Sequence, residues 1–288
     1  MNVSAVTRPA PQSVAMKADR PALKVALAGL GAIGKAVARR LVAGELPRTR
    51  LMAVAVRDGA QARQWLDGLG CDVPVCPLAE LAEKADLVVE CAPAALVGEI
   101  AVPVLTAGKT LMVLSVGALL GRPDLIELAR QHGGQIIVPS GALLGLDAVS
   151  AAAEGKIHSV RMVTRKPLAG LKGAPYLVAH GIDIAAITTP LKVFEGSARE
   201  AAQGFPANLN VAAALSLAGI GPDATRQEIW ADPTIDRNIH RIVVEADSAR
   251  LEMQIENIPS ENPKTGRITA LSVLAALRKI NSPLRVGT

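Results

Sequence analysis

Apolar residues arrive in short bursts along the first half of the chain, and the bursts alternate between two periods. Leu23-Lys24-Val25-Ala26-Leu27-Ala28 is a compact apolar run that ends on Gly29 and reads as a buried strand. Beyond the next glycines, Ile33, Val37 and Leu41 recur every fourth residue, which puts them on one face of a helix that Gly44 and Pro47 end. The alternation then repeats. A strand at 51–56 runs into a turn at Asp58-Gly59 and a helix at 60–69. A short helix at 78–84 precedes a strand at 87–91, a helix at 94–107 precedes a strand at 111–115, and a helix at 123–131 precedes a strand at 135–138. Helices between short apolar strands predict βαβ units and an α/β, doubly wound parallel sheet of Rossmann type.

The pattern changes after Gly145. Val160-Arg161-Met162-Val163-Thr164-Arg165 alternates as a strand does when one face of its sheet is solvated. An Ala-rich helix is expected at 207–218 and strands at 239–245 and 251–257, which together describe a second, α+β domain. The last helix, at 265–280, carries Ile268, Leu271, Leu274 and Ala275 on one stripe and is expected to return to the first domain.

The glycines of Gly29-Leu30-Gly31-Ala32-Ile33-Gly34 lie between the first strand and the first helix. There the first glycine permits the tight turn, the second lets backbone approach a pyrophosphate, and the third lets helix and strand pack closely. The helix N-terminus offers its free N–H groups to the anion. The context makes this a dinucleotide site, with Ala32 and Ile33 as part of the turn and Cys91, at the end of the third strand, as a further cofactor-lining position. The second strand ends at Arg57-Asp58. An acid there suits the ribose hydroxyls of NAD and an arginine suits the extra phosphate of NADP, so NAD or NADP is expected.

Composition narrows the class. Hydrophobic residues make up 50% of the 288 positions and aromatics only 2%, so the core is built from Ala, Val, Leu and Ile, which disfavours a nucleic-acid binder that stacks bases on rings. The net charge is +5, from 31 basic and 26 acidic residues, and no Lys/Arg block is present. Within the first 20 residues Arg8, Lys17 and Arg20 face only Asp19. The expected partner is an anionic small molecule, with no nucleic acid and no membrane. Cys71, Cys76 and Cys91 form no C-x-x-C pair, which fits a reducing cytoplasm and no metal site. The N-terminal 1–20, with Pro9 and Pro11 and no apolar run, reads as a disordered tail.

Four histidines can be weighed singly. His132, before Gly133-Gly134, suits a helix C-terminus. His158 reads as an exposed strand start, and His180 sits in an apparent loop. His240 follows a polar approach, Ala231-Asp232-Pro233-Thr234-Ile235-Asp236-Arg237-Asn238-Ile239, straight into a strand. On spacing alone it is either an acid–base residue or a hydrogen-bonded structural histidine.

Taken with the glycine turn, Pro139-Ser140-Gly141-Ala142, Phe205-Pro206-Ala207-Asn208-Leu209-Asn210, Arg237-Asn238-Ile239-His240 and Asn257-Ile258-Pro259-Ser260-Glu261-Asn262-Pro263-Lys264-Thr265-Gly266 make the chain resemble the L-aspartate dehydrogenases from about residue 23 to 278. The resemblance implies that His240 is catalytic, that Ala142 and Asn210 contact the nicotinamide cofactor, and that the enzyme is a homodimer formed through its second domain. It further implies oxidative deamination of L-aspartate to iminoaspartate, giving oxaloacetate and ammonia on hydrolysis and supplying NAD biosynthesis. One departure is Ala246-Asp247-Ser248-Ala249-Arg250, where the family commonly has a Gly-x-Phe-Gly turn. Lys264 and Thr265, opening the last helix, are either a site for a substrate carboxylate or a capping turn with Lys264 in water, and Arg165 with Lys166 form a second candidate anion clamp. The expected division is a tail at 1–20, a dinucleotide-binding domain at 21–143 plus 264–288, and a substrate and dimerisation domain at 144–263. A reductase of the homoserine dehydrogenase or dihydrodipicolinate reductase type, and a non-catalytic NAD(P)H-sensing protein, remain as alternatives.

Overall fold

The computed structural model describes residues 21–206, 209–260 and 266–288. The expected tail at 1–20, Asn208, and the positions Lys264 and Thr265 lie outside them.

Five parallel strands form the first sheet: β1 (Leu23–Ala28), β2 (Thr49–Ala55), β3 (Leu87–Glu90), β4 (Thr110–Val113) and β5 (Gln135–Ile137), in the order β2-β1-β3-β4-β5. The crossovers are α1 (Ala32–Val42), α2 (Gly59–Asp67) with the short α3 (Leu81–Lys84), α4 (Val97–Thr106) and α5 (Pro123–His132). In β1, Val25 and Leu27 pack with Val37 and Leu41 of α1, while Ala26 and Ala28 turn to the opposite face and pack with Ile100 and Val104 of α4. Both faces are covered, which is why β1 shows no polar alternation. Strand order reverses between β1 and β3, and such a reversal opens a crevice beyond the carboxyl ends of the strands.

The chain continues through α6 (Leu146–Ala153), β6 (Ile157–Lys166), α7 (Leu168–Leu171), α8 (Pro175–Ala179), β7 (Leu191–Ser197), α9 (Ala198–Gly204), α10 (Asn210–Ala218), β8 (Thr225–Ala231), β9 (Asn238–Ala246) and β10 (Arg250–Asn257). The second sheet has the order β10-β9-β6-β8-β7, mixed because β6 and β8 run parallel while the other pairs are antiparallel. Its inner face, with Val160, Met162, Ile229, Ile242 and Val244, packs on Phe205 and Leu215. Its outer face carries the ion pairs Arg161–Glu228 and Arg241–Glu252. Strands β7 and β8 were not foreseen from the pattern, because the inward positions Thr225 and Gln227 of β8 are polar although fully buried.

Helix α10 joins the two cores. Ala213 and Ala214 pack with the first sheet's helices, and Ala212 and Leu215 pack with the second sheet. Small side chains let both layers approach one helix. The final helix, α11 (Ile268–Asn281), does return to the first sheet, packing Val273, Leu274 and Leu277 against Leu27, Val37 and Leu41. Its buried stripe is displaced from the expected one, since Ile268 and Leu271 are 39% and 51% exposed.

Candidate active site

Strand alternation decides which polar side chains reach the crevice. On β6 the inward positions after Val160 and Met162 are Thr164 and Lys166, and antiparallel pairing sets His240 of β9 opposite Thr164. Asn238 is the next inward position on β9. All four are buried, in a polar patch that continues an apolar face. His240, Lys166 and Asn238 line a cavity of about 160 Å³ whose other walls come from the first sheet and from helices α1, α10 and α11. These walls are Ile33 of α1, Glu90, Cys91 and Ala92 at the tip of β3, Leu114 and Ser115 after β4, Ser140 to Ala142 after β5, and Asn210 opening α10. Gly266 and Thr269 bring the start of α11 to the same cavity. A second, larger cleft shares Cys91 and Ala92 with it and extends past Gly29, Gly31 and Lys35 to Arg57 and Asp58. The two hollows together form a path across the strand-order reversal.

The glycine turn fits the dinucleotide that this path implies. A Cβ on Gly29, whose φ is +107°, would lie 2.5 Å from the Cys91 carbonyl oxygen, and one on Gly34 would lie 2.1 Å from that of Gly29. A Cβ on Gly31 would meet nothing within 4 Å. The first and third glycines are thus demanded by close packing, and the second opens onto the space a pyrophosphate needs, above a first helical turn with no acidic residue. Ala32 lines neither hollow. Asp58 caps α2 by accepting a hydrogen bond from the Gln61 amide at 3.0 Å, and Arg57 stands exposed beside it.

Loops from both lobes are tied at the cavity. Asn210 Oδ1 accepts from the Gly117 amide at 3.1 Å, the Ala142 carbonyl accepts from Asn257 Nδ2 at 2.8 Å, and the Gly141 amide donates to Ser272 Oγ of α11 at 3.1 Å. Glu90 was not singled out from the sequence, although a carboxylate closing an apolar strand is a legible signal. It is fully buried and accepts from the Ala92, Leu114 and Ser115 amides and from Ser115 Oγ, pinning the tips of β3 and β4 together. Burial pushes its pKa up while the Ser115, Leu114 and Ala92 donors pull it back. Burial, with the Glu90 charge beside it, also raises the Cys91 thiol pKa, so that sulfur is a wall and not a nucleophile.

His240 is held neutral. Burial, reinforced by the Lys166 charge, lowers its pKa from 6.5 to about 3. Its Nδ1 lies 3.1 Å from Thr164 Oγ1, which leaves Nε2 for the cavity. The other histidines lie elsewhere: His132 in the last turn of α5, His158 exposed on β6, and His180 stacked on Tyr176 at 3.8 Å. Arg165 and Lys166 cannot clamp one anion together. Alternation sends them to opposite faces of β6, and Arg165 pairs with Asp232 at 2.8 Å while Lys166 enters the cavity. The divergent turn at 246–250 closes the β9–β10 hairpin, six residues along β9 from His240 and about 20 Å away by strand rise.

A family model described as aspartate dehydrogenase, C-terminal, matches residues 147–280, and one described as homoserine dehydrogenase, NAD binding domain, matches residues 29–139. The chain is 61% identical over 266 residues to the L-aspartate dehydrogenase of Bradyrhizobium diazoefficiens, covering 92% of this chain and 94% of that protein. The chain belongs to the L-aspartate dehydrogenase family. L-aspartate dehydrogenase 3 of Bordetella bronchiseptica is 60% identical over 270 residues, covering 94% of this chain and 99% of the relative. The crystal structure of aspartate dehydrogenase from Thermotoga maritima matches the fold with a TM-score of 0.69 at 28% identity, over 92% of this chain and 99% of that one. Family membership makes the chain an oxidoreductase with a pyridine-nucleotide-binding domain.

Proposed function

We propose that this chain catalyses NAD- or NADP-dependent oxidative deamination of L-aspartate to iminoaspartate, which yields oxaloacetate and ammonia in water or is consumed in NAD biosynthesis. The observation that carries the reading is a neutral, buried His240 beside Lys166 in a cavity walled by both lobes. An amino acid enters as its ammonium form, and the nitrogen lone pair must be freed before hydride can leave Cα. His240, unprotonated in the empty site, takes that proton at Nε2, the substrate carboxylates beside it and their pairing with Lys166 raising the imidazole's proton affinity. The bound nicotinamide supplies the hydride acceptor. Lys166 engages one of the substrate's two carboxylates, and the amides at the start of α11, with Lys264 and Thr265, engage the other. Asn210 and the Ser140 to Ala142 loop hold the cofactor's ring end, while the Gly29 to Gly34 turn, Arg57 and Asp58 hold its phosphates and adenosine. The reading includes a cytoplasmic homodimer joined through the open outer face of the second sheet.

The test is reduced-nicotinamide formation by the purified protein from L-aspartate, and its consumption with oxaloacetate plus ammonia, using NAD and NADP side by side. Homoserine and dihydrodipicolinate serve as rival substrates. His240→Ala should lower turnover by about a thousandfold while cofactor binding is retained. Wild-type turnover in that variant, or no turnover of aspartate by the parent, overturns the proposal.

A further inference from the structure

A base that works through Nε2 needs its ring held from the other nitrogen. In many enzymes a carboxylate does this, yet the partner of His240 Nδ1 is the Thr164 hydroxyl, at 3.1 Å and fully buried. Thr164 is itself held. Gln227 of β8 donates from Nε2 to Thr164 Oγ1 at 3.1 Å and from the same nitrogen to the Glu228 carbonyl. A carbonyl oxygen only accepts, so this contact fixes which end of the amide is nitrogen, and Thr164 Oγ1 therefore receives an N–H. The oxygen keeps a second lone pair to accept from an N–H at Nδ1, the tautomer whose Nε2 is bare. A base that receives its proton at Nε2 starts as the Nδ1–H tautomer and becomes the imidazolium with Nδ1–H unchanged, so the hydroxyl oxygen accepts from Nδ1 before and after the transfer with no movement of heavy atoms. A carboxylate in its place would also accept from Nδ1, but would add a further charge to a cavity already lined by Lys166 and Glu90.

We propose that Thr164, anchored by Gln227, is the positioning residue for His240, its hydroxyl holding Nδ1 through both protonation states so that Nε2 meets the substrate from one fixed place. Each of the three side chains points inward from a different strand, β6, β8 and β9, so the row is built across the sheet and not along one segment. No proton passes through Thr164; it takes part through hydrogen bonds only. The inference rests on His240 being the proton acceptor in the reading above.

Three variants and their parent test it, each with its melting temperature and cofactor affinity measured beside turnover. Thr164→Val keeps shape and strand propensity and removes the hydroxyl. It should lower kcat about 10- to 100-fold with KM for L-aspartate and cofactor affinity little changed. Thr164→Ser, which restores the hydroxyl, should recover kcat to within about threefold of the parent. The ring-nitrogen chemical shifts of His240, read by NMR without any turnover, should move in Thr164→Val and stay near the parent's in Thr164→Ser. His240→Ala separates the two levels of argument. If it is inactive while folded Thr164→Val turns over like the parent, or if Ser fails to rescue, this inference falls and the functional reading stands. If His240→Ala is active, both fall.

Discussion

At Glu90 and His240, burial acts on two ionisable groups in one cavity wall, with different consequences. His240 has a folded-state pKa of about 3 against an ordinary 6.5, so the unfolded chain binds a proton there that the folded chain refuses. The stability this contributes is complete above pH 6.5 and is lost as pH falls toward 3, by about 2 kcal/mol between pH 6.5 and 5. Urea unfolding at those two pH values should therefore show His240→Asn losing less stability than the parent, and equal losses would contradict a neutral folded-state imidazole. Glu90 presents both oxygens to donors, Oε1 to the Ala92 amide and Ser115 Oγ, Oε2 to the Leu114 and Ser115 amides. Glu90→Gln must turn an NH2 group toward at least one backbone N–H. The expected cost is about 1–3 kcal/mol in unfolding free energy, with weaker cofactor binding as the β3 and β4 tips loosen. A midpoint identical to the parent's would show that the amide is accommodated.

Among the elements, α11 separates periodicity from burial most clearly. Apolar residues recur along it at several helical spacings, and the sequence alone favours a stripe through Ile268, Leu271 and Leu274. The helix instead turns Val273 and Leu277 fully inward, one turn apart, against β1 and α1. Leu277→Ala should cost about 2–5 kcal/mol through lost contacts and a residual cavity, whereas Leu271→Ala should stay within about 0.5 kcal/mol. Reversal of that order in thermal or urea unfolding would mean that the helix docks in another rotation. Strand β8 teaches the complementary lesson. Its inward Thr225 and Gln227 hide the alternation by which a strand is recognised, and Gln227 is polar there because it holds Thr164.

For the whole molecule, the proposed dimer gives a direct measurement. Light scattering on the purified chain should return about twice its 29.8 kDa mass, and charge reversal at Arg241 on the outer face of the second sheet should shift it toward the monomer. A monomeric parent with full activity would remove the dimer from the reading. By itself the sequence determined the α/β class, the place of the glycine turn and the family, because these depend on residues near one another in the chain: apolar runs, a turn that only glycine fits, and contiguous motifs. It could not determine which polar residues meet. Thr164, Lys166, Gln227 and His240 come from three strands, and their encounter depends on strand order and register, which local patterns do not encode. Nor could it separate Arg165 from Lys166, neighbours in the chain that pleating sends to opposite faces of one sheet. Only packing two sheets around α10 makes a cavity in which an imidazole is dry enough to stay neutral.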